Sequence, residues 1–272
     1  MHMICPVADV KNPERQSYLH RFHGTGVRIE DGRYVVKLAE SSQEIESALR
    51  LRYEVFRVEL AGPARELETG AIDFDDYDLA SRHLIVVDRA SGTTVGTYRL
   101  NSIESAKTAT GFYSHSEFSI EDLPGTVLFD GVEIGRACIA REHRNTKVLF
   151  LLWKGLASFC QAAGKRYFFG CCSIFTRDLA VGEAAYRQLA DAGHFHEELR
   201  VEPRVTGLYK AERDSQFVEL PSLFNMYLRL GAKVCGPPSI DDEFGTIDFF
   251  VVCDTEQVPE KYRKMFFGQT EG

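Results

Sequence analysis

The amino-acid sequence predicts an α/β fold with a mixed central sheet flanked by helices, and two local patterns lead to it. Strand-like stretches at His83–Asp88 and Thr94–Leu100 are joined through Ser91-Gly92, a hairpin signal. Further on, a strand pattern at about Leu128–Ile139, an amphipathic helix and a continuous apolar run at Tyr167–Ile174 make a βαβ unit. Such a unit requires parallel pairing and a right-handed crossover. Hairpins supply antiparallel neighbours and the crossover a parallel one, so the sheet is mixed.

Residues 1–32 are polar and aperiodic and read as an N-terminal arm, which leaves 33–272 as one domain. Tyr34–Leu38 alternates as a strand. Ser41 and Glu44 stand at capping-box spacing and open a helix from Ser42 to about Leu60. Gly62–Asp78 reads as a long acidic loop, and the chain through Phe118 and Leu123-Pro124-Gly125 as another. Asn145 caps a helix whose Val148, Leu152, Leu156, Phe159 and Cys160 share a face, and Gly164 ends it. Helices follow over Asp178–Ala192 and Leu220–Leu230, the second opened by Pro221 and closed by Gly231. Thr246–Cys253 closes the sheet. Asp191–Glu219 carries no readable pattern and is a candidate lid over a substrate chain.

With 272 residues, 44% of them hydrophobic and 26% charged, the chain has the balance of a soluble globular protein. A net charge of −8 argues against nucleic-acid binding. Yet Arg136 to Arg166 holds seven lysines and arginines against one acid, Glu142. That segment is either a face for an anionic partner or a solvated helix face. Seven cysteines form no C-x-x-C pair, which suits reduced thiols in a cytosolic compartment. No apolar leader opens the chain, and no apolar run approaches the roughly 18 residues of a membrane span. A cytoplasmic location is therefore expected, with peripheral contact at the inner membrane allowed.

Charged residues stand where core is expected: Arg52, Asp75, Asp78, Arg99, Glu133 and Arg136. Arg52 lies on the helical stripe Ile45, Leu49, Arg52, Phe56, where an unpaired charge would cost several kcal/mol in desolvation. Charges of both signs in such places point to a polar cluster, in an active site or in a structural ion pair. Glu133 and Arg136 are three apart in a strand, which sends them to opposite faces unless Gly135 hosts a bulge. His194, His196 and Glu197 lack further ligands at a suitable spacing, so no metal is expected. Cys138, Cys171 and Cys172 suit strand packing better than nucleophilic catalysis, and His83 suits the core.

The pattern Arg52-x-x-x-Phe56, Asp75-x-x-Asp78, Arg99, Glu133-x-x-Arg136 resembles the acyl-homoserine-lactone synthases and the long-chain N-acyl amino acid synthases. Both are branches of the GNAT-like acyltransferase fold. Several segments resemble the ornithine N-acyltransferases and their hemolysin-like relatives more closely. They are Leu51-Arg-Tyr-Glu-Val-Phe56, Val95-Gly-Thr-Tyr-Arg-Leu100, Glu133-Ile-Gly-Arg-Ala-Cys138, Leu151-Leu-Trp-Lys-Gly155 and Tyr227-Leu-Arg-Leu-Gly231. Gly62 stands where the lactone branch has a Trp, which weighs against S-adenosylmethionine as substrate. Arg144-Asn-Thr-Lys-Val-Leu149 lacks the glycines with which ordinary GNAT enzymes admit a pyrophosphate.

The resemblance implies an acyltransferase that moves a long-chain acyl group from acyl carrier protein to the α-amine of an amino acid, ornithine first. Other amino acid acceptors, a lactone synthase and a catalytically silent carrier-binding or lipid-binding module are the alternatives. No resident cofactor is implied. The phosphopantetheine thioester of the carrier is the co-substrate, and coenzyme A is the less favoured donor. Glu133 is the candidate general base, with Arg99 and Arg136 beside it in the catalytic set, one of them holding the acceptor's carboxylate. Asp75 and Asp78 would hold its cationic end, with Arg52 in the same substrate-binding group. Phe56, Trp153, Phe168 and Phe169 are candidates to wall the acyl chain, although aromatics at helical spacing also pack as core. Arg141, Arg144, Lys147 and Lys154 would meet the acidic carrier.

Overall fold

The computed structural model describes residues 26–60, 71–107, 110–205 and 217–268. They form two compact units, where the sequence reading has one domain over 33–272. The first takes the described residues of Met1–Gly111, Ile134–Lys165 and Lys264–Gly272, and the second Phe112–Glu133 and Arg166–Arg263.

In the first unit, β1 (Arg28–Asp31), β2 (Tyr34–Leu38), β3 (Arg82–Asp88) and β4 (Thr94–Ser102) pair antiparallel in that order. β5 (Gly131–Ile139) lies next to β4 and contributes Ile134–Ile139 to this unit. β1 falls inside the expected arm 1–32, a correction that follows from its pairing with β2: Arg28–Asp31 carries no apolar alternation of its own. Strand alternation sorts the side chains of β3 and β4 by face. Leu84 stands opposite Tyr98 on one face, and His83 opposite Arg99 on the other.

Each face is covered by a helix. α1 (Ser42–Tyr53) packs on β4. Its Ser41 side chain accepts the Glu44 N–H, while Glu44 reaches back to the N–H of Glu40 rather than of the cap residue. The helix then loosens into a π-helical turn, Glu54–Glu59. That extra residue per turn rotates Phe56 off the stripe of Ile45 and Leu49. Those two pack with Ile72, whereas Phe56 joins Leu51, Val55 and Cys138. After a four-residue α2 (Ile103–Ala106), the long helix α5 (Thr146–Ala163) covers the Leu84 and Tyr98 face, capped by Asn145 and ended by Gly164 in the left-handed region.

In the second unit β5 supplies Gly131–Glu133, which pair parallel with β6 (Tyr167–Ile174). β9 (Thr246–Asp254) runs antiparallel to β6, and both β7 (Lys233–Val234) and β8 (Ser239–Asp241) pair antiparallel with β9. Where a loop and a strand start are expected, the chain makes α3 (Ser114–Glu117) and α4 (Gly125–Phe129), so Leu128 and Phe129 are helical and β5 begins at Gly131. Helices this short show no periodicity to read. α6 (Leu179–Asp191) and α7 (Ser222–Arg229) fall where expected, and α8 (Glu260–Phe266) follows β9.

Candidate active site

In the first unit the misplaced charges find one another. Arg52 has 0% exposure. Its Nε donates to Asp73 Oδ2 at 2.9 Å, and Nη1 and Nη2 fork onto Asp78 Oδ1 and Oδ2 at 2.6 and 3.1 Å. Arg99, on the β4 face turned to α1, donates from Nη1 to Asp75 Oδ1 at 2.5 Å, and Arg136 from Nη2 to Asp75 Oδ2 at 3.0 Å. Arg57 reaches Asp73 at 3.4 Å. The acids are themselves pre-set by a short turn, Asp76–Leu79, in which Asp75 accepts the Asp78 N–H and Asp78 accepts the Asp75 N–H. Burial alone would raise the Asp73 carboxyl, but Arg52, Arg136 and Arg57 outweigh it and hold it at about 2. Asp75 is likewise driven down against burial by Arg99, Arg136 and Arg52. Burial pulls His83 down to about 4, so it is neutral near pH 7.

Arg136 is the one non-glycine among the described residues with positive φ, at 50°. The expected irregularity in β5 therefore sits at Arg136 itself and not at Gly135. A left-handed residue in mid-strand breaks the two-residue alternation of side chains along the strand.

In the second unit Glu133 is buried at the end of its ladder with β6, opposite Phe169. Its Oε2 accepts the N–H of Tyr113 at 2.9 Å and its Oε1 the N–H of Ser114 at 2.7 Å. Two backbone donors thus fix the orientation of the carboxylate.

The same unit gathers Glu117, Asp241 and Asp248, whose carboxylate oxygens lie within 4.8 Å of one another and could hold a cation. Burial first, and then the charge of Asp248, push the Glu117 carboxyl well above the usual range; Asp248 is also raised, mainly by burial. Sequence reasoning missed this group. Asp248 offered a signal of the same kind as Arg52, a charge inside the apolar run Thr246–Cys253, but Glu117 and Asp241 offered none.

The remaining candidates divide clearly. Asp75 and Asp78 are engaged by the chain's own arginines and by their shared turn, so they do not present a free anionic end to an acceptor. Arg52 is fully buried, with its guanidinium enclosed by Asp73 and Asp78. Trp153 is buried with its ring 6.5 Å from Tyr98 and 6.2 Å from Phe266, and Phe168 is buried in β6. These two are core, and Phe169 packs on Phe112 and Phe250. Of the basic residues, Arg144 already pairs with Glu59 at 2.6 Å and Lys147 with Asp31 at 2.9 Å. Arg141 is exposed, and Lys154 stands over the Phe150 ring. His196 Nδ1 accepts the backbone N–H groups of Glu198 and Leu199, a local turn. Burial raises the thiols of Cys138, Cys171 and Cys172, which keeps them protonated and poor nucleophiles.

An acetyltransferase (GNAT) domain model matches residues 51–154, the stretch from α1 into α5. The solved structure of FeeM, an N-acyl amino acid synthase from uncultured soil microbes, aligns over 83% of this chain and 94% of that one, with a TM-score of 0.47 at 9% identity. Among curated proteins, the L-ornithine N(alpha)-acyltransferase of Rhodobacter capsulatus is 31% identical over 257 residues, 88% of this chain and 96% of that one. The Brucella abortus protein of the same name is 32% identical over 252 residues, 85% and 88% of the two chains. Identity at this level over nearly the whole of both sequences places the chain in one family with them: it belongs to the L-ornithine N(alpha)-acyltransferases.

Proposed function

We propose that this acyltransferase moves a long-chain acyl group from the thioester of acyl carrier protein to the α-amine of ornithine. The acceptor amine attacks the thioester carbonyl, a C–N bond forms, the C–S bond breaks, and the amine proton must go to a base. Glu133 is that base in this reading, directly or through one water, and returns the proton to the leaving thiolate. The observation that carries the assignment is the fixed carboxylate, buried and held by the Tyr113 and Ser114 N–H groups. Arg136 already pairs with Asp75 at 3.0 Å, so this reading assigns it no substrate group.

Acyl carrier protein as donor is supported by the α5 entrance. Asn145 occupies the first turn by accepting the Val148 N–H, and no glycine opens the preceding loop to a pyrophosphate. Among the described residues no helix is long and apolar enough to cross a membrane. The reading puts the enzyme in the cytoplasm, in peripheral contact with the inner membrane that receives its product.

Mass spectrometry of lipid extracts from cells expressing the wild type and Glu133→Ala tests the function. An N-acyl ornithine is expected with the wild type, and a loss of about 10²–10⁴-fold in rate with the variant. A folded Glu133→Ala that makes as much product removes Glu133 as base. A folded wild type that makes none, with carrier thioester and ornithine supplied, removes the reaction.

A further inference from the structure

The proposed acceptor has two amines, and only the α-amine has an assigned partner, Glu133. We propose that Glu117, Asp241 and Asp248 bind the side-chain ammonium of the acceptor and set the enzyme's preference for a diamino acid. The inference rests on the reading of this chain as an enzyme that acylates ornithine.

Strand register puts these groups on the face that carries Glu133. Glu133 stands opposite Phe169, and Ser173, four residues along β6 on the same face, stands opposite Asp248 on β9. Asp241 on β8 stands opposite Thr246, two residues from Asp248 and again on that face. The segment bearing Glu117 lies over it, with Phe112 against Phe169 and Phe118 against Phe250. Cys171 lies between the Phe169 and Ser173 rows, its Sγ 3.7 Å from Ser114 Oγ, the neighbour of the backbone that holds Glu133. One covered face thus carries the candidate base at one end and three acids at the other.

The acids are short of donors. Glu117 is 7% exposed and Asp248 3%. Both Glu117 oxygens, Asp248 Oδ1 and Thr246 Oγ1, at 2% exposure, make no hydrogen bond of normal length among the described residues; their looser approaches are of Glu117 to Asp248 and Tyr113, and of Asp248 to Ser173 and Thr246. The Tyr113 hydroxyl donates to Asp241 Oδ2 at 3.1 Å. No lysine, arginine or histidine of the described residues forms an ion pair with any of the three. Buried acceptors without donors cost free energy unless a ligand supplies both hydrogens and positive charge. A primary ammonium supplies three N–H donors, and three oxygens each roughly 2.9 Å from its nitrogen stand about 4.7 Å apart. The observed separations, within 4.8 Å, admit that arrangement. A hard divalent ion would need six or more oxygen ligands. Here the polar neighbours beyond the acids are the hydroxyls of Tyr113, Ser173 and Thr246 and the Cys171 thiol.

The experiment compares L-ornithine with L-norvaline, which has the same carbon chain without the terminal amine, in the wild type, Glu117→Gln and Asp248→Asn. The wild type is expected to favour ornithine by at least about a hundredfold in kcat/KM. In each variant KM for ornithine should rise about tenfold to a hundredfold, with the donor KM unmoved and the preference over norvaline collapsing. Thermal melts establish that both variants fold, and Asp241→Asn, at the less buried acid, repeats the test if either does not. Retained preference in the folded variants, or equal loss on both acceptors, overturns the proposal. If the wild type acylates neither acceptor, the functional reading fails by itself, and calorimetric titration with 1,4-diaminobutane still reads the site. Binding that Asp248→Asn abolishes supports an ammonium site, and no binding to the wild type overturns it. Tight calcium or manganese binding at these residues, with an ornithine preference that chelation removes, also overturns it in favour of a metal.

Discussion

Arg52→Ala would leave Asp73 and Asp78 buried without the guanidinium that forks onto both. Removing one partner of a buried ion pair costs about 3–5 kcal/mol, because the surviving charges stay desolvated. Arg52→Lys should recover little, since an ammonium cannot span two carboxylates as a planar fork does. The same pairing shapes acid stability. The folded Asp73 carboxyl sits at about 2, below the unfolded value near 3.9, so its stabilising share is present above about pH 4 and is lost as pH falls through about 2. Urea unfolding at pH 7, 4 and 3 should show the wild type weakening toward pH 3. It should also show Arg52→Ala already several kcal/mol weaker at pH 7, with a flatter acid limb. A variant as stable as the wild type would mean that the cluster contributes nothing net. These pairings were beyond sequence reading. Helical spacing exposed Arg52 as a charge on an apolar stripe, but its partners lie 21 and 26 residues away, and periodicity carries no information about which acid in an acid-rich loop turns inward.

At the scale of elements, α5 approaches the sheet closely at Gly155. A Cβ there would stand 2.9 Å from Leu84 and Val36 side-chain atoms, closer than packed carbons tolerate. Gly155→Ala should therefore cost about 1–3 kcal/mol by overpacking, despite the better helix propensity of alanine. Gly135→Ala is the contrast. Its φ is not in the left-handed region and nothing lies within 4 Å of the added carbon, so stability should stay within about 1 kcal/mol or rise. Thermal melts of the two variants decide whether the helix seat or the β5 glycine is the tight position. The sequence reading put the β5 irregularity at Gly135 because glycine is the usual bulge residue. The structure has it at Arg136, where the ion pair with Asp75 accompanies a conformation that costs an L-residue about 1–2 kcal/mol.

For the whole molecule the charge balance is the testable property. If an acidic carrier is the donor, as proposed, a protein of net charge −8 needs a local positive face, and Arg141 and Lys154 are the candidates with no ion pair to an acid among the described residues. Arg141→Glu with Lys154→Glu should raise KM for the carrier-bound donor several-fold at low salt, leave ornithine KM alone, and reduce the salt dependence of the wild type. Equal turnover of coenzyme A thioesters by wild type and variant, with no change toward the carrier, would show that this face does not receive the donor.

The sequence alone determined those elements whose signals are local. Asn145 and Gly164 bound α5, alternation bounds β2, a continuous apolar run marks β6, and Pro221 and Gly231 bracket α7, because caps and periodicity act within a turn or two of the residue that shows them. It also determined that Arg52, Arg99, Glu133 and Arg136 are charges inside a core. Tertiary structure alone decided their partners. It turned Arg99 toward α1, tied Glu133 to the backbone of Tyr113 and Ser114, spent Asp75 and Asp78 on arginines, and drew Glu117, Asp241 and Asp248 together from three distant segments. Contacts between residues far apart in the chain follow from how strands and helices stack, and desolvation then requires each buried charge to find its complement within the folded protein or in a ligand.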